Sequence, residues 1–180
     1  MTARPSMAAL ISKLRILAND TTSQIFSDDQ LQAILDQRAV ISKSESLTPL
    51  PNILPGGTIS YTEFVAVHNY FDDDAQLRDI QYNPLTPATA DFSLGYFTFS
   101  ASQSLPVLIY GRYYDINGAA ADAWDIKAAK YADGFDFSAD GASFSRSQRV
   151  AQAERQARLF RANSFSASAM TIIRRTDVIE

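Results

Sequence analysis

Phe135-Asp136-Phe137-Ser138-Ala139-Asp140-Gly141-Ala142-Ser143-Phe144-Ser145-Arg146-Ser147-Gln148 joins two helical patterns through a short strand-turn-strand element. Phe135, Phe137 and Phe144 are spaced for one apolar surface, and Asp140-Gly141 is a strong tight-turn signal. Ser145 and Gln148 have the spacing of a capping box, in which each side chain satisfies a backbone N–H left open at a helix start. No nucleophile stands beside a base here, so the stretch points to assembly rather than catalysis.

On its N-terminal side, Asp115 opens a helix to about Ala132. Ala119, Ala120, Ala121, Ala123, Ala128 and Ala129 keep its faces narrow for close packing, and Ile116, Trp124, Ile126 and Tyr131 supply anchors. On the other side, Ser145 starts a last helix through about Ala162, followed by a tail with an apolar cluster at Met170, Ile172 and Ile173. Towards the N-terminus, Met7, Leu10, Leu14 and Leu17 recur at three- and four-residue spacing, the stripe of an amphipathic helix over about 6–18. A second helix, over about 27–38, opens with Ser27 and Gln30 as a capping box and with Phe26 and Leu31 as a hydrophobic staple. Its core face is Leu31, Ile34 and Leu35.

Between Ser42 and Gly111 the pattern changes. Six of the seven prolines (Pro49, Pro51, Pro55, Pro84, Pro87 and Pro106) and the Gly56-Gly57 pair interrupt short apolar runs, which no helix survives. Thr58 to Val67, Asp91 to Phe99 and Pro106 to Tyr110 read as strands, with Ser100 to Leu105 connecting the last two as a hairpin. Side chains alternate along a strand, so Tyr96 faces opposite Phe97. The expected fold is α+β: a mainly α-helical body with a β-rich hairpin insertion over about 42–111. Residues 1–163 form one domain and 164–180 a tail.

The 180 residues, 46% hydrophobic and 20% charged, suit a single core. The chain has no cysteine, which excludes thiol catalysis, disulfides and thiolate metal sites. The N-terminal segment, broken by Ser12, Lys13 and Arg15, does not read as a signal peptide, and no run approaches a membrane span. Charge is segregated. Residues 1–145 hold 9 Lys and Arg against 17 Asp and Glu (−8), and residues 146–180 hold 7 against 3 (+4). The basic residues of this arm are all arginine: Arg146, Arg149, Arg155, Arg158, Arg161, Arg174 and Arg175. Arginine forks onto carboxylates and phosphates and is enriched at interface hot spots, although such a run also suits a solvated helix face.

Candidate chemistry is sparse. Asp72-Asp73-Asp74 is the one dense carboxylate cluster, but consecutive side chains rarely converge on a cation, and the segment lacks the alternating acids and glycine of an EF-hand. It reads as a solvated turn or cap, and no metal or other cofactor is assigned. Asp136 and Asp140 are better used by their turn. His68 is the sole histidine, and beside Tyr61, Phe64 and Tyr70 it reads as packing or a surface hydrogen bond. There is no Gly-x-Ser-x-Gly elbow and no phosphate-binding glycine loop among the seven glycines. The chain does not read as an enzyme.

Over nearly its full length the chain resembles the head-tail connector (adaptor) proteins of long-tailed bacteriophages. The matching features are Phe26-Ser27-Asp28-Asp29-Gln30-Leu31-Gln32, Pro55-Gly56-Gly57-Thr58, Tyr61 to Phe64, Phe71-Asp72-Asp73-Asp74, Tyr82-Asn83-Pro84-Leu85-Thr86-Pro87, and Tyr114 through Gln148. Asp122 and Asp125 beside Trp124 depart from related patterns. The resemblance implies a structural virion protein at the neck, made in the host cytoplasm. It would assemble as a homo-oligomeric ring, usually twelvefold, below the portal protein, with DNA passing through the lumen without specific binding. Its other side would meet a stopper or tail-completion protein, and no membrane is involved. The expected portal-docking residues are Arg146, Arg149, Arg155, Arg158, Arg161, Met170, Ile172, Ile173, Arg174 and Arg175. Contacts to a neighbouring subunit or towards the tail are expected from Tyr96, Phe97, Phe99, Val107 and Ile109. Two alternatives stand beside this reading: a nucleic-acid-binding protein using the arginine-rich last helix, and a related head-completion or stopper protein.

Overall fold

A computed structural model describes residues 3–133, 137–139, 142–144 and 146–164. A single 3-10 turn, Pro5–Met7, leads into helix α1 (Ala8–Leu17), which buries Leu10, Ile11 and Leu14 along one stripe. Helix α2 (Asp28–Gln37) opens on the full capping box: the Ser27 side chain accepts from the Gln30 N–H, and the Gln30 side chain accepts from the Ser27 N–H. Phe26 and Leu31, the two halves of the staple, are both buried. Helix α3 (Ile116–Ala132) starts at Asp115, whose carboxylate accepts from the Gly118 N–H, and helix α4 (Arg146–Ala162) follows the antiparallel β9–β10 hairpin (Phe137–Ala139, Ala142–Phe144). In that hairpin Phe137 pairs with Phe144; the Asp140-Gly141 turn and the Ser145 cap lie outside the described residues.

Between α2 and α3 lie eight strands in two four-stranded antiparallel sheets. The first has the order β1 (Ala39–Ser46), β8 (Leu108–Tyr114), β4 (Gln76–Arg78), β5 (Pro84–Leu85). The second has the order β2 (Thr48–Ile53), β3 (Ile59–Val65), β7 (Tyr96–Thr98), β6 (Thr89–Asp91). With about 38% helix and 27% strand, the chain is not a mainly helical body with an insertion. A single chain is described, so no ring is shown. The β region has its own core of Leu47, Phe64, Ala66, Phe71, Leu77, Phe97, Phe99, Val107 and Ile109. A separate helical core gathers Met7, Leu14, Phe26, Leu31, Leu35, Tyr114 and Ala119, Ala120 and Ala123 of α3.

Two strand expectations change, and one strand was not expected, for physical reasons. Asp91 to Phe99 is not one strand but β6 and β7, because the chain turns at Gly95, whose φ of +66 suits a residue without a side chain. Ser100 to Leu105 does not close a hairpin: β7 belongs to the second sheet and β8 to the first, so this segment carries the chain from one sheet to the other. Strand β2 contains Pro49 and Pro51, and proline tolerates only positions whose N–H is not needed; β2 is an edge strand.

Tight approach fixes how β8 meets the turn before β4. A Cβ built on Gly111 would lie 2.5 Å from the Ala75 Cβ and 3.0 Å from its Cα. Gly111→Ala is therefore expected to push these segments apart and cost about 1–3 kcal/mol by overpacking, read as a lowered urea midpoint with unchanged slope.

Candidate functional site

The side chains that sequence reasoning marked as chemical are either locked into the fold or scattered. Asp72 is fully buried. Its Oδ2 accepts from the Tyr114 hydroxyl at 3.1 Å and lies 3.6 Å from an Arg4 guanidinium nitrogen, which in turn pairs with Asp36 at 2.7 Å. Desolvation, then the Asp72 charge, pushes the Tyr114 hydroxyl well above the usual phenol range. This network ties the N-terminal turn to the end of β8. Asp73 and Asp74 are exposed, and the partial desolvation of Asp73, then the charges of Asp72 and Asp74, raise its carboxyl above the ordinary value. Among the described residues, no three His, Asp or Glu side chains converge to hold a metal ion. His68 stacks on Tyr113 with ring centroids 4.1 Å apart and lies 3.9 Å from a Glu45 oxygen.

Of the expected contact residues, Phe97, Phe99, Val107 and Ile109 are 7% exposed or less and fill the β core. Being occupied inside the chain, they are not a contact surface. Tyr96 does face away from Phe97: it is half-buried, and its hydroxyl donates to Glu63 at 2.6 Å. On α4, Arg149, Arg155, Arg158 and Arg161 are exposed, while Ala153 and Ala157 pack against Trp124 and Ala128 of α3. Arg161 pairs with Asp125, and Arg38 clasps Asp122 through two bonds of 2.6 and 2.7 Å. The two aspartates flanking Trp124 thus act as anchors within the chain. The Arg146 side chain and Met170, Ile172, Ile173, Arg174 and Arg175 lie outside the described residues.

Sequence reading missed two surfaces. One is the arm of the β2–β3 hairpin. Every residue from Leu50 to Ile59 is exposed, including Ile53 (73%), Ile59 (52%), Leu54 and Leu50, and Ile53 pairs directly with Ile59. The available signal was Ile53-Leu54-Pro55-Gly56-Gly57, an apolar pair beside a turn. Gly56 and Gly57 both take positive φ, which explains that pair.

The other is the open face of the first sheet. Register places Gln76 and Lys43 on either side of Tyr110, and Ile41 beside Arg112. Arg78 sits 5.6 Å from the centre of the Tyr110 ring and donates to the Tyr82 carbonyl at 3.0 Å and to Gln76 at 2.7 Å. Tyr82, 59% exposed and at φ +66, brings its ring centroid 6.0 Å from that of Tyr110. An open depression of about 440 Å³ runs between Ile41, Asp74, Tyr110 and Arg112.

The chain matches no known protein family, and no curated protein and no solved structure is significantly similar to it. Among the described residues, no helix is long and apolar enough to cross a membrane.

Proposed function

We propose that the chain is a structural assembly protein of the phage neck, a head-tail connector whose copies associate below the portal and join the DNA-filled head to the tail. The observation that carries this reading is the β2–β3 arm: ten consecutive exposed residues, four of them large and apolar, on a two-stranded ladder anchored in the second sheet. Apolar side chains so placed favour association, because a neighbour removes them from water. A neighbouring copy is the occupant this reading assigns. The ordered resemblance of residues 26–148 to connector proteins supplies the particular setting, with α4 and the tail turned towards the portal and a stopper or tail-completion protein on the far side.

The arm gives the test. Ile53→Asp with Ile59→Asp places charge on two side chains that the fold leaves in water, so the thermal midpoint should stay within a few degrees of wild type. Self-association, followed by light scattering with and without portal, should fall at least about tenfold. Unchanged association would remove the arm from the interface. Deleting the gene from the encoding phage should leave DNA-filled heads without tails; normal infectious particles would overturn the connector reading itself.

A further inference from the structure

We infer that the open face of the first sheet is a binding platform for single-stranded nucleic acid, with Tyr82 and Tyr110 as stacking surfaces and Lys43, Arg78 and Arg112 as phosphate contacts. The inference goes beyond the connector reading and does not rest on it.

Three features carry it. First, charge on this face is opposite to that of the chain. The protein is acidic overall, at −4, yet alternate positions of β1, β4 and β8 put three cations side by side on one face. Asp74 at the margin is the carboxylate that shares the depression, and the nearby Asp79 is turned back into its own loop, accepting the Asn83 N–H and side-chain amide at 2.8 Å each. Among the described residues, neither Lys43 nor Arg112 makes an ion pair; Lys43 is exposed and Arg112 half-buried at the depression.

Second, the aromatic groups are held before any ligand arrives. Tyr82 adopts a left-handed backbone conformation that a bulky residue rarely takes. Its loop is closed by Tyr82 N–H donating to Asp79 O at 3.0 Å, Asp79 N–H donating to Asn83 O at 3.0 Å, and Arg78 gripping the Tyr82 carbonyl. The loop thus presents the ring outward beside Tyr110 rather than folding it into a core. Third, a tyrosine on an antiparallel sheet and another on its adjoining loop, set among arginine and lysine, suit unpaired bases, whose faces stack while their phosphates meet the cations. A duplex hides those base faces. Double-stranded DNA passing a neck channel is therefore not the ligand this surface selects.

The experiment is fluorescence anisotropy of the full chain with a labelled oligothymidine of about 20 nucleotides, beside a duplex of the same length and inorganic polyphosphate. The single strand should bind, with log affinity falling against log salt at a slope of about −2, as three phosphate contacts at about 0.7 each require. Lys43→Glu with Arg112→Glu should weaken binding at least about tenfold, and so should Tyr82→Gly. The glycine relieves the left-handed strain, so this variant should lose affinity without losing thermal stability, which a merely structural tyrosine would not do. Arg155→Glu with Arg158→Glu on α4 should leave affinity unchanged. No binding of the single strand at about 50 mM salt, unchanged affinity in the sheet variants, or loss confined to the α4 variant would overturn the proposal. So would equal affinity for duplex and polyphosphate, the mark of a non-selective polyanion surface.

Discussion

Phe97→Ala is expected to cost about 3–5 kcal/mol, a large part of the roughly 5–15 kcal/mol that holds a domain of this size folded. Phe97 is completely buried, pairs in register with Phe64, and meets Phe92 edge-on with centroids 5.6 Å apart. Its removal opens a cavity where the two sheets share their core, and the backbone ladders on either side limit collapse into it. Urea denaturation followed by tyrosine fluorescence reads the loss. The control is Ile53→Ala on the exposed arm, expected within about 0.5 kcal/mol of wild type. Similar small effects for both would mean that Phe97 packs at a surface instead, as an intermolecular contact residue would.

Asp20→Ala is expected to be nearly as damaging, at about 3–5 kcal/mol, although it removes only one small polar group. Asp20 is 3% exposed and organises the whole turn between α1 and α2. Its Oδ1 accepts the N–H groups of Gln24 and Ile25 at 3.0 and 3.1 Å, and its Oδ2 accepts that of Phe26 at 2.9 Å and an Arg15 nitrogen at 3.2 Å. Alanine leaves three backbone donors and a half-buried guanidinium short of an acceptor, and unmet buried donors are more costly than the net worth of the bonds. Phe26, the staple of α2, is placed by one of those bonds. The loss should appear in amide hydrogen exchange as lowered protection at Gln24, Ile25 and Phe26, spreading into α2. Protection unchanged at those amides would contradict this role.

The helices were legible because their signals are local. The Ser27/Gln30 box, the Asp115 cap and the stripe of Met7, Leu10 and Leu14 each lie within one or two turns, and the helix carries them directly into its packing. The sheets were not, because their pairing is long-range. Strand β1 follows α2 immediately yet pairs with β8, Ala39 opposite Tyr114, and nothing near Ala39 announces that partner. Proline density suggested a β-rich hairpin insertion in a mainly helical body, whereas an edge strand tolerates Pro49 and Pro51, and the strands closed a second core of their own. The same error reached the expected contacts. Alternation correctly set Tyr96 against Phe97, but it could not say that the side holding Phe97, Phe99, Val107 and Ile109 already had a sheet to cover it. Asp20 and Tyr82 were invisible for a different reason: a polar hub and a strained loop residue are defined by backbone geometry, which residue type alone does not encode.

Three exposed surfaces carry the proposed functions: the apolar β2–β3 arm, the arginines of α4, and the open sheet face. The central claim, that this chain works by joining copies of itself to a portal, is tested most directly by electron microscopy of the purified protein mixed with the portal of the phage that encodes it. A ring of chains seated coaxially on the portal is expected, with the β2–β3 arm of each copy against its neighbour. Bare portals beside monomeric protein at concentrations that saturate other neck contacts would contradict it.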